Sequence, residues 1–273
     1  MTIRSLEEVS GFEQLCLIDM SYSRISSYKL CPSKYFYTYI QKEPWSFSAP
    51  AALGNIVHDV LEEQVGEEEL NFANCVLAFE QYRPVHDPDY LITDDLIEAA
   101  HVMMAEFCDK HTGDFTYEED VDTGLQVVAK EQQFKIVIGS ALVTGYIDMV
   151  CQLNDDELYI IDWKTGKFEE TAKSISTNLQ LSIYVLAIAH LFPEVNKFKA
   201  ELYYLRSGRR KSHTFTREDL EGLEATAIEQ IDAIVNDFHF HPTTNSRICG
   251  FCEHASSGAC KWGVNARRRL TRR

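Results

Sequence analysis

The chain has 273 residues, 45% of them apolar, and a formal net charge of -16. The apolar fraction is enough for a substantial core, but the acidic excess excludes a protein that coats nucleic acid by general electrostatic attraction. No segment approaches the ~18 consecutive apolar residues of a membrane helix, and the start of the chain lacks the apolar stretch of a signal peptide. We therefore expect a cytoplasmic protein that has no membrane contact and binds any nucleic acid locally.

Helix-forming patterns dominate the first third of the chain. Pro32 and Pro50 stand where a proline can begin a helix, because the first turn needs no backbone donor. Asp94 and Asp95 stand where negative charge favours a helix N-terminus. The predicted helices run from Ser21 or Ser23 to about Leu30, from Pro32 to Tyr39, from Pro50 with Ile56, Val57, Val60 and Leu61 on one face, from Phe72 to Tyr82, and from Asp94 to Lys110.

Runs of valine, isoleucine and tyrosine follow, separated by short polar turns that predict an antiparallel meander. The expected fold class is α/β, with a mixed central sheet that carries an antiparallel hairpin and is flanked by helices. The predicted elements are strands at Gln126 to Ile138, Ala141 to Leu153 and Glu157 to Lys164, a helix from about Ser174 to Leu191, strands at Lys197 to Arg206 and Lys211 to Thr216, and a helix from Glu218 to Phe238.

Two aspartates become neighbours if the turn at 154–156 is centred on its middle residue. Leu153 then pairs with Glu157, and all paired residue numbers sum to 310, as those of Asp148 and Asp162 do. Directly opposed Cβ atoms lie roughly 4.5 to 5.5 Å apart, so two carboxylates there repel unless a cation separates them. Lys164 emerges on the face of Asp162 because side chains alternate along a strand. The pattern predicts a divalent-cation site; the alternative is a buried ion pair of Lys164 with one aspartate.

Several motifs around these residues resemble the core of RecB-type nucleases, members of the PD-(D/E)xK superfamily. The segments GYID, ending at Asp148, and IIDWKTG, around Asp162 and Lys164, carry the resemblance. Gln180 and Tyr184 match the family's Q-x-x-x-Y helix, on which residues four apart share one face, and the segment Gly54 to His58 matches an early helix with a histidine. Glu131 stands where relatives often have an acidic residue, although a solvent-facing strand position explains it equally well.

The resemblance implies a metal-dependent deoxyribonuclease, expected to be an exonuclease on single-stranded DNA in repair, recombination, phage DNA metabolism or CRISPR adaptation. It implies that Mg2+ or Mn2+ is bound by His58, Asp148, Asp162 and the backbone carbonyl of Trp163, and that Asp148, Asp162, Lys164, Gln180 and Tyr184 are catalytic. The alternative is a non-catalytic or partner-dependent DNA-binding subunit held together by a metal cluster. We expect a single nuclease domain over 1–273, with a helical part at 21–111, a catalytic core at 124–240, a cysteine segment at 245–262 and a basic tail at 263–273.

Four cysteines form a second candidate metal site. Cys249, Cys252 and Cys260 follow a C-x2-C-x7-C spacing, and Cys31, followed by Pro32, resembles the distant N-terminal cysteine of iron-sulfur RecB-like nucleases, including AddB and a CRISPR-associated family. The resemblance implies a 4Fe-4S cluster. Zinc is the alternative, with His254 as a possible substitute ligand, but zinc sites usually pair two short-range knuckles, and Cys31 stands alone more than 200 residues away. The other cysteines, Cys16, Cys75, Cys108 and Cys151, are interpreted as small buried apolar residues.

Basic residues cluster in two places. Arg206, Arg209, Arg210 and Lys211 flank a turn at Ser207-Gly208 and are candidates to hold DNA phosphates, while the five arginines between Arg267 and Arg273 are either phosphate contacts or a solvated end. No P-loop motif occurs, so the chain has no means of hydrolysing ATP to drive its own translocation. We expect it either to act alone as an exonuclease or to supply nuclease activity to a helicase, recombination complex or CRISPR adaptation complex. Aromatic residues suited to stacking on single-stranded bases, though core packing is expected for most, are Tyr22, Tyr28, Tyr35, Phe36, Tyr37 and Tyr39, interleaved with Lys29 and Lys34.

Overall fold

The computed structural model describes residues 4–5, 8, 16–44, 48–66, 70–117, 125–243 and 245–270, the last four without their side chains. The arginine side chains from Arg267 onward lie outside the described residues, so phosphate contact by the tail stays a prediction. The chain separates into two compact units. The first unit contains Phe47–Lys135 and Gly145–Glu224, and the second contains Arg4–Ser46, Ile136–Thr144 and Ala225–Arg273.

Helices and strands are numbered in chain order. The helices are α1 (Tyr22–Leu30), α2 (Pro32–Tyr35), α3 (Ala49–Gln64), α4 (Phe72–His86), α5 (Asp94–His111), α6 (Leu179–Leu191), α7 (Leu220–Val235), α8 (Ser246–Gly250), α9 (Glu253–Ser256) and α10 (Lys261–Leu270). The strands are β1 (Arg4–Ser5), β2 (Ile18–Met20), β3 (Phe115–Thr116), β4 (Leu125–Ile138), β5 (Ala141–Asn154), β6 (Glu157–Lys164), β7 (Lys197–Tyr204) and β8 (Arg209–Thr216). A π-helical turn covers Phe36–Ile40, and 3-10 turns cover Ala172–Thr177 and Arg217–Asp219.

The predicted α/β class with a mixed sheet is confirmed. Strand order is β4-β5-β6-β7-β8, and β3 pairs with β4. The β5–β6 and β7–β8 pairs are antiparallel, whereas β6–β7 is parallel. Helix α6 makes the crossover between β6 and β7, as a parallel connection requires. The part of β5 from Gly145 onward, β6 and α6 all lie in the first unit.

The predicted hairpin register is confirmed over most of its length. The pairs from Met149↔Ile161 to Gln152↔Leu158 all sum to 310. The predicted pairing of Leu153 with Glu157 is wrong, because Asn154 pairs with Glu157 and the register shifts between Gln152 and Asn154. A two-residue turn leaves one extra residue on β5, which a bulge absorbs.

Helix α3 contributes much of the core of the first unit. Its predicted apolar face, Ile56, Val57, Val60 and Leu61, is fully or almost fully buried. Burial of each such side chain contributes about 1.5–3 kcal/mol. The same core contains residues of α4 and α5 together with Met149, Ile161 and Trp163 of the hairpin.

Two further features of the elements bear on the sequence predictions. Helix α6 is buried almost all round, which explains its uniformly apolar sequence. No described helix has both the length and the apolar content needed to cross a membrane. Cys75, Cys108 and Cys151 are buried as predicted, but Cys16 is exposed because it precedes β2, whose first two residues are exposed as well.

The second unit contains two short strands, β1 and β2, and a cluster of aromatic side chains. β1 pairs with the end of β4, and β2 pairs with the start of β5. Ser21 caps α1 by accepting a hydrogen bond from the Arg24 backbone N–H, as the sequence predicts. The Tyr35 ring is 3% exposed and stacks on Phe240 at a centroid distance of 5.9 Å. Tyr35 therefore packs in the core, as expected for most of these aromatic residues.

Candidate active site

Two aspartates at the end of the β5–β6 hairpin are nearly inaccessible to solvent. Asp148 is 6% exposed and Asp162 is 2% exposed. The Asp148 Oδ2 atom accepts a hydrogen bond of 2.6 Å from the Trp163 backbone N–H, and its Oδ1 lies 3.4 Å from His58 Nδ1. The Asp162 Oδ2 atom lies 2.6 Å from Lys164 Nζ. Both carboxylates are thus held in place, one by the backbone of the neighbouring strand and one by an ammonium group.

Gln180 connects three polar groups of the site, Lys164, Asp162 and Tyr184. Its Oε1 accepts a hydrogen bond of 2.8 Å from Lys164 Nζ. Its Nε2 donates to Asp162 Oδ1 at 2.7 Å and to the Tyr184 hydroxyl at 2.8 Å. The one-turn spacing of Gln180 and Tyr184 on α6 puts both side chains on the face towards the strands. Burial and then the nearby Asp162 and Asp148 raise the pKa of Tyr184 well above its usual value, so the phenol stays protonated.

Gly145 allows an aromatic ring to support this network. A Cβ atom at Gly145 would lie 2.7 Å from Phe134 Cζ, closer than any real contact. The Phe134 ring packs edge-on against Tyr184 at a centroid distance of 6.0 Å. The glycine of the GYID motif is therefore required by close packing on the side of the site that holds Tyr184.

His58 reaches the site from α3, with 29% of its side chain exposed. Burial alone would lower its pKa, but the charge and hydrogen bond of Asp148, together with Asp162, raise the pKa to about 9. One turn earlier, a Cβ atom at Gly54 would lie 3.1 Å from Thr165 Oγ1. The small residue in this motif lets α3 approach the segment that follows Lys164.

Glu131 also belongs to this group. One ligand atom each from His58, Glu131 and Asp148 lie within 4.8 Å of one another. The backbone of Glu131 has a φ of 43°, a left-handed conformation that costs a residue other than glycine about 1–2 kcal/mol. Burial, followed by the charges of Asp148 and Glu62, raises its pKa to about 7. Strand periodicity could not distinguish this position from a solvent-facing one, because a single left-handed residue leaves no pattern in the sequence.

The charges of the site fit a divalent cation. Burial raises the pKa of Asp162, and the neighbouring Asp148 raises it further, although Lys164 acts in the opposite direction. Asp148 thus raises the pKa of both Asp162 and Glu131, and a cation among these carboxylates would relieve the repulsion. Carboxylate oxygens and an imidazole are ligands suited to Mg2+ and Mn2+.

The sequence comparison decides the family. Residues 19–258 match the sequence model described as the PD-(D/E)XK nuclease superfamily. The chain belongs to this superfamily. No curated protein matches the sequence.

Two solved structures resemble this nuclease at low sequence identity. A Eubacterium rectale protein described as a "Putative exonuclease" shares 11% identity, with 85% of each chain covered and a TM-score of 0.46. The protein SSO0001 shares 14% identity, with 92% of this chain and 88% of that one covered, at a TM-score of 0.36. Both scores lie below 0.5, so the family assignment rests on the sequence match.

The basic residues predicted to hold DNA have partners within the first unit of the nuclease. Arg210 Nε donates to Glu201 at 2.7 Å, and Glu201 is only 3% exposed. Lys211 Nζ lies 2.9 Å from a carboxylate oxygen of Glu169. Arg206 Nε donates to the backbone carbonyl of Thr165 at 2.7 Å, and Arg209 lies 3.6 Å from Glu169. Their binding of phosphate stays a prediction, since the structure shows each of them in a contact within the protein.

The four predicted cluster cysteines all lie in the second unit. Cys249 and Cys260 are buried, whereas Cys31 and Cys252 are partly exposed. Burial and then the charges of Cys31, Cys252 and Cys260 raise the pKa of the Cys249 thiol, which shows that the four sulfurs are close enough to interact. The sulfurs of Cys31 and Cys260 each accept a backbone N–H at 3.4 Å, from residues 243 and 263 respectively.

Proposed function

We propose that this nuclease hydrolyses phosphodiester bonds of single-stranded DNA as a metal-dependent exonuclease. The observation that carries the proposal is the connected group in which Asp162, Lys164 and Gln180 are mutually hydrogen-bonded or ion-paired beside Asp148 and His58. A buried ion pair of Lys164 with one aspartate would account for Asp162 alone. It would leave Asp148 beside a second carboxylate and an imidazole with no structural reason for their convergence.

We infer that Mg2+ or Mn2+ is held by His58, Asp148, Asp162 and the Trp163 carbonyl, with Glu131 as a further ligand or as the base for a bound water. The Trp163 N–H points at Asp148, and the two polar backbone groups of a strand residue face the same edge, which supports the carbonyl as a ligand. The bound cation would lower the pKa of a water molecule and polarise the scissile phosphate.

The protein side chains have separate proposed roles. Lys164 stabilises the negative charge that builds on the phosphate, because its ammonium group lies at the partly exposed edge of the site. Gln180 fixes the direction of that ammonium group through its carbonyl oxygen. Tyr184 fixes Gln180 in turn, so its proposed role is that of a positioning residue.

We also propose a 4Fe-4S cluster on Cys31, Cys249, Cys252 and Cys260. Cys31 stands more than 200 residues from the other three cysteines, whereas structural zinc sites usually pair two short-range knuckles. Backbone N–H groups donate to the sulfurs of Cys31 and Cys260, and hydrogen bonds to the sulfurs are among the features that tune iron-sulfur clusters. His254, the alternative zinc ligand, already pairs its Nε2 with the Thr38 hydroxyl at 2.8 Å.

The nuclease proposal is tested by cleavage of end-labelled single-stranded and duplex DNA with Mn2+, Mg2+ or EDTA. We expect the native chain to cleave in a metal-dependent manner, and Asp162→Ala and Lys164→Ala to fold but not cleave. Products shortened one nucleotide at a time would establish an exonuclease, and internal products an endonuclease. Cleavage retained by Lys164→Ala would contradict its role.

The outcome of the same assay separates the alternative function. If the native chain binds DNA with its metals present but does not cleave it, a DNA-binding subunit or an enzyme that needs a helicase, recombination or CRISPR adaptation partner replaces the proposal. The cluster is tested through Cys252→Ser, which should lose iron and lower the melting temperature as well as activity. Zinc in place of iron in the purified native chain would refute the cluster.

A further inference from the structure

The segment after the catalytic strand carries an almost fully exposed aromatic side chain. Phe168 is 95% exposed and follows Lys164 by four residues. Four residues span at most ~14 Å, so the ring lies within about two nucleotides' reach of the site. Full exposure of a phenylalanine forfeits about 1.5–3 kcal/mol of burial free energy. A nucleobase stacked on the ring would recover part of that free energy.

The segment that presents Phe168 is held at several points. Arg206 Nε donates to the carbonyl of Thr165, at the start of the segment. Lys211 and the Ser207 hydroxyl both contact the Glu169 carboxylate, directly after Phe168. These anchors come from β8 and from the turn that precedes it, so the ring is presented by a braced backbone.

The basic residues of this region differ in whether they have a partner within the protein. The basic residues near the Ser207-Gly208 turn make their contacts within the protein, whereas Lys167 is exposed and has no carboxylate partner among the described residues. A Cβ atom at Gly166 would meet nothing within 4 Å, which shows open space beside the same segment. An unpaired cation next to an exposed ring, with space around both, is the combination that binds single-stranded nucleic acid.

We propose that Phe168 stacks on an unpaired nucleobase of the DNA strand whose phosphate is cleaved, while Lys167 pairs with a phosphate of that strand. The inference rests on the proposed nuclease function and names the contact that selects single-stranded substrate. A paired base has both faces covered by its neighbours, so the stack favours a strand end or a single strand. The cluster from Arg206 to Lys211 then acts by positioning this segment.

The stacking is tested by dissociation constants for a labelled single-stranded oligonucleotide in EDTA, where nothing is cleaved. We expect Phe168→Ala to bind about 5- to 150-fold more weakly, the range for loss of one stacked base. A series of oligonucleotides, each lacking one base at a different position, completes a double-mutant cycle between the ring and the base. The affinity of the native chain should fall by the same factor on one oligonucleotide of the series. The affinity of Phe168→Ala should not fall further on that oligonucleotide.

Matched variants separate stacking from a general change of the surface. Phe238→Ala removes another phenylalanine, 83% exposed, and should bind as the native chain does. Phe168→Trp should restore binding, because it keeps an aromatic face. Lys167→Ala should reduce the slope of log affinity against log salt by about 0.7, the value for one phosphate of a single strand.

Each outcome bears on one of the two proposals. If the native chain binds and cleaves single-stranded DNA but Phe168→Ala equals Phe238→Ala, the stacking inference alone is overturned. An equal loss by Phe168→Ala on every oligonucleotide of the series would also overturn it, since the ring would then act through the fold. If the native chain neither binds nor cleaves single-stranded DNA, the proposed function fails and the inference fails with it.

Discussion

Glu131 offers the sharpest test of the charge balance in the candidate site. Replacing it by glutamine keeps the shape of the side chain and its capacity for hydrogen bonds but removes its charge. In the metal-free protein that charge is unfavourable, because burial, Asp148 and Glu62 together raise the pKa of Glu131 from 4.5 to about 7. We therefore expect Glu131→Gln to stabilise the metal-free protein at neutral and alkaline pH.

The sign follows from proton binding. A carboxyl whose pKa is raised in the folded state holds its proton between pH 4.5 and about 7, where the unfolded chain has released it, so stability falls as pH rises through this window. A rise of this size corresponds to about 3 kcal/mol, which solvent screening of a half-buried group reduces to about 1–2 kcal/mol. Glutamine does not titrate, so the variant escapes this loss.

The assay is thermal unfolding of the native chain and Glu131→Gln in EDTA at pH 5 and pH 8. The two melting temperatures should nearly coincide at pH 5, and at pH 8 that of the variant should be higher by about 2–8 °C. Saturating Mn2+ should raise the melting temperature of the native chain more than that of the variant, because the charge that destabilises the metal-free fold is the charge that binds the cation. Glu80→Gln, at an exposed position of α4, is the control and should show neither effect.

Two results would refute this reasoning. If the melting temperatures of Glu131→Gln and the native chain differ by the same amount at pH 5 and pH 8, the ionised carboxylate of Glu131 does not destabilise the metal-free protein. An equal Mn2+ shift in both proteins would remove Glu131 from the cation site and leave its left-handed backbone without a functional explanation.

Three other substitutions probe the packing and the titration of the first unit. In urea unfolding, Asp148→Ala should be less stable than Asp148→Asn by about 1–3 kcal/mol, because alanine leaves the backbone N–H of Trp163 without an acceptor. Equal stabilities would contradict the role of Asp148 as that acceptor. Gly145→Ala should lose about 1–3 kcal/mol in thermal unfolding and slow cleavage, since its Cβ meets Phe134 at 2.7 Å, and an unchanged melting temperature would show that the ring moves freely aside. Burial lowers the pKa of His111, so the stability of the native chain should fall as pH drops from 7 to 5. Urea titrations should show a smaller fall in stability for His111→Asn. An equal fall in both proteins would exclude His111 as the cause.

Local patterns in the sequence are sufficient to predict most of the elements. The β5–β6 hairpin is predicted with its register because a short polar turn and alternating apolar residues allow only one pairing that keeps the buried face buried. The error is confined to Leu153, next to the turn, where a bulge can absorb one residue without changing either face. The start of α3 and both ends of α5 are predicted to within one residue from periodicity and end signals.

Motif order places the candidate site residues, and the structure brings His58, Asp148, Asp162, Lys164, Gln180 and Tyr184 into one network, with their catalytic roles still to be tested. Glu131 shows the limit of this approach. The resemblance indicates Glu131, but a solvent-facing strand position explains it equally well, and no neighbouring residue type signals its positive φ.

Secondary structure, hairpin register and superfamily membership follow from the amino-acid sequence, because each depends on residues that are close in the chain or on the order of motifs. The pairing of charges follows from the tertiary structure instead. Arg210 pairs with Glu201 and Lys211 with Glu169, so residues predicted to form a DNA-binding patch brace the fold, while Phe168 and Lys167 remain exposed. Ion pairing depends on distances of a few ångströms between distant parts of the chain, and composition carries no record of them.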